Sequence, residues 1–187
     1  MTPVIEAAAE LEAFLRSQGW RFCVIGGLAV LRWGQPRTTQ DVDVSLFVDP
    51  GDEDSYIAHV LSRFASRIPD ARAFALTHRV LLLQASNGIP LDIALASFPF
   101  EEEIIARASP FELASGTTLT IVSCEDLLVF KSFSGRPQDW VDVEGVLMRQ
   151  RGEIGWPAVE SNLAALCELT ESTDPLERLK ELRRRYP

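Results

Sequence analysis

Two short aliphatic segments, "DVDVSLFV" at 41–48 and "PLDIALA" at 90–96, carry aspartates where a strand would otherwise place apolar residues. In a strand, residues i and i+2 share a face. Asp41 and Asp43 therefore point one way, and Val42 and Val44 point the other way, into a core. Two carboxylates about 6 Å apart repel by roughly 3 kcal/mol at an effective dielectric near 20, a large share of the stability of a marginally stable domain. A divalent cation offsets that repulsion, and Mg²⁺ typically takes one or two carboxylates together with substrate phosphates. Asp92, with Leu91 and Ile93 beside it, needs a partner if it is buried. If its strand neighbours the Asp41 strand, three carboxylates converge. Such a set can hold two metal ions, one activating an attacking hydroxyl and one binding phosphates. The competing reading is a half-exposed edge strand whose aspartates sit in water.

The remaining pattern surrounds these strands with helices. Ile5, Ala8, Leu11 and Leu15 recur at helical spacing, which predicts a helix over 4–18 ended by Gly19. "WRFCVIGG" reads as a buried strand stopped by glycines, "LAVLRWG" as a short helix and "QPRTTQ" as a loop. Residues 52–68 read as a helix with acids in its first turn. "THRVLLLQA" and "PLDIALA" read as strands joined at Asn87-Gly88, a strong hairpin signal. A helix near 98–107 and short extended pieces over 111–122 follow. The last third is helical, with Ser123 as a cap and Pro157 in a first turn. The expected fold is α+β (mixed α/β), a small mixed sheet flanked by helices. Residues 1–122 form the core, and 123–187 form a helical C-terminal part packed on it in one compact domain.

Composition removes several classes. The 187 residues suffice for one domain with a proper core. The longest apolar run, 22–31, is too short to span a bilayer. The first residues carry three glutamates and no early cation, unlike a signal peptide. A cytoplasmic chain with no membrane partner is expected. Cys23, Cys124 and Cys167 lie far apart with no CxxC pattern, so buried free thiols are expected rather than zinc or disulfides. A net charge of −9 argues against a general nucleic-acid coat. The one dense basic run, "RLKELRRRYP", either ends a helix, where Arg183 to Arg185 suit the dipole, or contacts a polyanion.

Gly26 and Gly27 follow a strand and open a helix. Glycine there lets a phosphate approach the backbone, and a helix N-terminus offers N–H groups to an anion. A strand, a glycine pair, a helix, a loop and then apolar-Asp-apolar-Asp form a far more specific series than the glycines alone. In this series "IGGLAVLRWGQPRTTQDVDVSL" resembles the signature of nucleotidyltransferases of the DNA polymerase β type. The resemblance implies the nucleotidyltransferase fold, with a glycine turn at Gly26 and Gly27 holding a triphosphate. It also implies Asp41 and Asp43 as Mg²⁺ ligands and Asp92 as the third metal-binding and catalytic acid.

A second stretch, "DLLVFKSFSGRPQDWVDVEGVL", resembles the C-terminal motif of the AbiEii-like branch of bacterial nucleotidyltransferases: a helical lysine, an arginine, then Asp-x-x-Asp. The matching positions are Lys131, Arg136, Asp139 and Asp142. Arg37 and Thr39, just before Asp41, fit the same branch. Together these motifs cover residues 20–148. By resemblance, Arg37, Thr39 and Lys131 join the nucleotide-binding set. Lys131 alternatively snorkels from an apolar helix without a function. Asp139 and Asp142, i and i+3 on one helix face, orient Lys131, take a proton from an acceptor, or serve the helix. Trp33 and Trp140 are read as core. The implied activity is transfer of an NMP from an NTP to a hydroxyl of RNA or tRNA, a protein or a small molecule. Two Mg²⁺ ions are implied, with Mn²⁺ as a substitute, and a toxin role with an antitoxin partner belongs to the branch. The alternative is a non-catalytic module of the same fold that binds a nucleotide or a partner.

Overall fold

The computed structural model describes residues 2–114 and 116–186, and these divide into two compact units. The first comprises described residues of 2–28 and 38–122, and the second those of 29–37 and 123–186. Helix α2 (Gly26–Trp33) carries the chain out of the first unit. The segment 29–37 belongs to the second unit, and the chain re-enters the first at Thr38.

The first unit holds α1 (Pro3–Ser17), β1 (Phe22–Val24), β2 (Val42–Phe47), α3 (Glu53–Arg63), β3 (Ala65–Ser66) and α4 (Ala71–His78). It continues with β4 (Val80–Gln84), β5 (Pro90–Ala96), α5 (Pro99–Arg107), β6 (Ser109–Glu112) and β7 (Thr118–Ile121). The strands form one mixed sheet in the order β3-β4-β5-β2-β1-β7-β6. At its centre β2 pairs parallel with β5 and antiparallel with β1. Mixed pairing with helices on the sheet is the α/β class expected from the sequence. Val42, Val44, Leu91 and Ile93 are buried, at 0%, 2%, 0% and 0% exposure, so the apolar half of each alternation faces the core. The hairpin at Asn87-Gly88 joins β4 to β5, with Gly88 at φ +85° and the Ala85 N–H donating to Ile89 O over 2.9 Å.

Two local expectations change. The helix expected over 52–68 ends at Arg63, because Phe64 turns to extended backbone and the chain enters β3 against β4. Thr77 and His78, expected in a strand, complete α4, which the sequence reading missed. Alanine-rich "ARAFALTH" favours a helix, and Arg79 closes it in the left-handed region, its N–H donating to Ala75 O over 2.8 Å.

The second unit holds segment 29–37 with α6 (Cys124–Ser134), α7 (Pro137–Arg149), α8 (Trp156–Thr170) and α9 (Asp174–Arg185). The Ser123 hydroxyl accepts the Asp126 N–H at 3.1 Å, capping α6. Gly135 ends α6 at φ +64°, and Pro137 opens α7 in its first turn. The segment 29–37 is tied to α7 through backbone carbonyls. Arg149 Nη1 donates to Gly34 O at 2.7 Å and to Leu31 O at 3.3 Å, and the Gln150 side chain donates to Trp33 O at 2.9 Å. These bonds satisfy carbonyls that the end of α2 leaves without an intrahelical donor. Gly145 permits the approach, since a Cβ there would lie 3.1 Å from Gln35 N. Cys23, Cys124 and Cys167 are free and buried. Among the described residues no helix is long and apolar enough to cross a membrane.

Candidate functional site

In the first unit, β1 ends one residue before the glycine pair, and the Ile25 N–H donates to Asp43 O over 2.9 Å. Gly26 then takes φ +60°, which non-glycine residues rarely adopt. A Cβ on Gly26 would lie 1.9 Å from Asp43 Oδ2, and one on Gly27 would lie 2.3 Å from Thr39 Oγ1. Both glycines are thus required by what stands against them, Asp43 in one case and Thr39 in the other. Thr39 Oγ1 donates to Asp41 Oδ1 at 3.0 Å. The turn, the threonine and the two aspartates form one continuous cluster.

Parallel pairing of β2 with β5 sets Asp43 opposite Asp92. Residues paired this way point to the same face of the sheet, so the Asp92 side chain shares a face with Asp43 and lies opposite to Leu91 and Ile93. Asp41 precedes the first residue of β2 and is half-buried, as are Asp43 and Asp92. Burial raises the Asp92 carboxyl above its ordinary value. The Arg67 guanidinium acts against that, and the negative charge of Asp41 adds to it. The proton affinity of Asp92 therefore depends on its neighbours at 41 and 67.

Arg67 was not anticipated. It forms an ion pair with Asp92, and its Nε donates to Leu83 O at 2.9 Å. Its backbone N–H donates to Leu82 O, and Leu82 is the β4 register partner of Asp92. The segment after β3 thereby brings a cation to the acid. Arg67 is 25 residues distant in sequence from Asp92 and sits in "SRIPDARAF", which has no motif to announce it.

Lys131, Arg136, Asp139, Asp142 and Arg37 meet in the second unit. Lys131 Nζ lies 2.7 Å from Asp139 Oδ1 and 3.0 Å from Asp142 Oδ2. Arg37 grips Asp142 with two bonds, Nε to Oδ1 at 2.7 Å and Nη2 to Oδ2 at 2.9 Å. Arg136 Nε reaches Asp139 Oδ2 at 2.8 Å. Lys131, Asp139 and Asp142 are 7%, 2% and 3% exposed. Burial alone would raise both aspartates. Hydrogen bonds from Lys131 and Arg136 to Asp139, and from Arg37 and Lys131 to Asp142, outweigh it and hold both carboxyls below the usual range. The two aspartates share the α7 face that the i, i+3 spacing implies, and they fix the Lys131 ammonium between them. Trp140 is buried, with its indole N–H donating to Gly135 O at 3.0 Å.

Among the described residues no group of three His, Cys, Asp or Glu side chains is arranged to hold a metal ion. The donor chemistry at Asp41, Asp43 and Asp92 nonetheless fits Mg²⁺. The ligands are hard carboxylate oxygens, and two of them are register partners. Mg²⁺ needs only one or two protein carboxylates when phosphates complete its shell.

The family profile described as "Nucleotidyltransferase of unknown function (DUF6036)" matches residues 2–187, and the chain belongs to that family. The match extends over α1 and α8–α9, beyond the 20–148 covered by the motifs. Among solved structures, an antigenic nucleotidyltransferase-like protein from Paracoccidioides brasiliensis is 16% identical. The alignment covers 93% of this chain and 92% of that one, with a TM-score of 0.53. The antibiotic-resistance factor ANT(2'')-Ia is 17% identical, with 89% and 92% covered and a TM-score of 0.54. At these identities the likeness is one of fold. Comparison with curated protein sequences returns no significant match.

Proposed function

From its membership of that nucleotidyltransferase family, we propose that the chain moves an NMP from an NTP onto an acceptor hydroxyl, using Mg²⁺ held by Asp41, Asp43 and Asp92. The observation that carries this reading is the register of Asp43 with Asp92 beside a glycine turn that a single methyl group would close. Bound metal would supply charge neutralisation for the triphosphate and a lowered pKa for the attacking hydroxyl. Gly26 and Gly27 leave room for phosphate against the first turn of α2. Thr39 holds the Asp41 carboxylate by its hydroxyl. Asp92 would hold one metal ion and help to activate the acceptor hydroxyl, which gives up its proton as it attacks. The acceptor oxygen bonds to the α-phosphorus, the bond from that phosphorus to its bridging oxygen breaks, and pyrophosphate leaves.

Arg37 and Lys131 were expected on the nucleotide. Their ion pairs with Asp142 and Asp139 favour the reading in which the aspartates orient the cations. Phosphate contact by either cation then requires exchange of an existing partner. The acceptor is RNA, a protein side chain or a small molecule such as an antibiotic. If it is an essential RNA or protein, expression arrests growth, an antitoxin partner relieves the arrest, and Asp41→Asn is harmless.

The test incubates the protein with Mg²⁺, each labelled NTP, and total RNA or lysate. Label should move to one acceptor class and stop moving in Asp41→Asn, which keeps the shape and removes the charge. Mg²⁺ and NTP together should raise the melting temperature of the parent and not of Asp43→Ala. A shift that appears with no transfer to any acceptor would replace this reading with a non-catalytic binding module.

A further inference from the structure

The net charge of −9 is unevenly spread. The first unit has seven Lys and Arg against fifteen Asp and Glu, and the second has eleven against twelve. Within the nearly neutral second unit, cations gather round a cavity of about 510 Å³ lined by parts of α7, α8 and α9 and by the loop between α7 and α8, with Glu160 as its one carboxylate among the described residues. That volume lies within the usual range for ligand pockets, roughly 300–1,000 Å³. Arg151, Lys180, Arg183 and Arg184 line it, together with the rings of Trp156 and Tyr186. Arg183 is already engaged, 2.5 Å from Glu160 and 4.6 Å over the Trp156 ring. Arg151, Lys180 and Arg184 are exposed, and none has an ion-pair partner among the described residues.

Helix geometry accounts for only part of this arrangement. Arg183 and Arg184 lie in the last turn of α9, where cations suit the dipole. Lys180 sits one turn earlier, and i, i+4 like-charge pairs such as Lys180 and Arg184 destabilise a helix. Arg151 comes from outside α9 altogether and faces the same cavity. Three unpaired cations with two aromatic rings match a ligand that carries phosphates in series and flat bases between them.

We propose that this pocket binds single-stranded nucleic acid, with backbone phosphates on Arg151, Lys180 and Arg184 and a base stacked on Trp156. The Tyr186 hydroxyl is held by Glu144 Oε2 at 3.2 Å and Arg183 covers one face of Trp156, so an acidic peptide would use the cations alone, whereas a base can also take the indole surface that lines the cavity. The proposal concerns binding by the second unit, and it holds or fails independently of transfer at the aspartates.

The experiment uses the full chain and fluorescein-labelled 12-nucleotide strands of RNA and of DNA, with polyglutamate and anionic vesicles as charge controls. Anisotropy should give dissociation constants of about 1–100 µM at 50 mM salt. With three phosphates neutralised, the slope of log K against log salt should be about −2, so a fourfold rise in salt weakens binding about 20-fold. The triple variant R151Q/K180Q/R184Q should bind at least about tenfold more weakly, with a slope near zero. Trp156→Ala should lose about 5- to 150-fold, the worth of one stacked base. Preference for RNA or for DNA identifies the source of the strand. No binding below about 100 µM (the weak end of non-specific contacts) would overturn the proposal. Equal binding of polyglutamate or vesicles, or an unchanged triple variant with a parental melting curve, would do the same.

Discussion

Asp43 and Asp92 stand opposite one another across the parallel β2–β5 pair, and the Asp92 carboxyl sits above its ordinary value. Burial is the largest cause, Arg67 opposes it, and the Asp41 charge reinforces it. A folded pKa above the unfolded one means that folding favours the protonated acid. Its contribution is fully present below the unfolded value of about 3.9 and is lost as pH rises through the folded value.

Asp92→Asn should therefore melt higher than the parent at pH 7, and the gain should vanish near pH 3. Transferase activity should fall by about two orders of magnitude or more. Paired melting curves at the two pH values, with one activity assay, check this. A lower melting temperature at pH 7 would mean that the Arg67 pair outweighs burial.

Gly26→Ala should lower stability by about 1–3 kcal/mol, or roughly 2–12 °C in Tm, because its φ is positive and its Cβ would strike the Asp43 carboxylate. Gly19→Ala is the control. Its φ is also positive, +69°, but nothing lies within 4 Å of the added carbon. The excess loss at Gly26 over Gly19 measures the collision, and equal losses would remove the claim that Asp43 crowds the turn.

Lys131→Met should cost about 3–5 kcal/mol, or roughly 6–20 °C, by leaving Asp139 and Asp142 buried with one cation fewer each. Lys131→Met combined with Asp139→Asn should cost less than Lys131→Met alone, since less uncompensated charge remains. The double-mutant cycle reads the coupling.

Acid should weaken the second unit through the same aspartates. Their folded pKa values lie below the unfolded ones. The stability they contribute is present above about pH 3.9 and is lost as pH falls through the folded values. The urea midpoint should drop between pH 4 and pH 2, and Asp142→Asn should flatten that drop.

The three cysteines should be silent toward thiol reagents at pH 8 in the native protein and all react in concentrated guanidinium. Each is buried, and burial, with the Glu125 charge beside it, pushes the Cys124 thiol up to about 12. Reaction of Cys124 at the rate of a free thiol would show that this region opens locally.

The parts of the fold that were legible are those governed by short-range rules. Alternation in "DVDVSLFV" and "PLDIALA" marks β2 and β5, Asn87-Gly88 marks their hairpin partner β4, and Ser123 marks the start of α6. What escaped depends on partners far away in the chain. Ala65 and Ser66 form a strand only because β4 offers a free edge, and α4 hides because Thr77 and His78 read as the start of β4. At the candidate site, the Asp92 face follows from period two. Its counter-charge Arg67 does not, since nothing local ties position 67 to position 92. The i, i+3 spacing places Asp139 and Asp142 together, but their grip on Lys131 and Arg37 required the meeting of α6, α7 and the 29–37 segment.

That segment has a consequence for synthesis. Arg37 finds Asp142 105 residues later, and at about 5–20 residues per second a ribosome needs roughly 5–20 s to deliver it. Until then the nine residues 29–37 lack the helices they pack with. A chain truncated after Val122 would be left permanently without those helices.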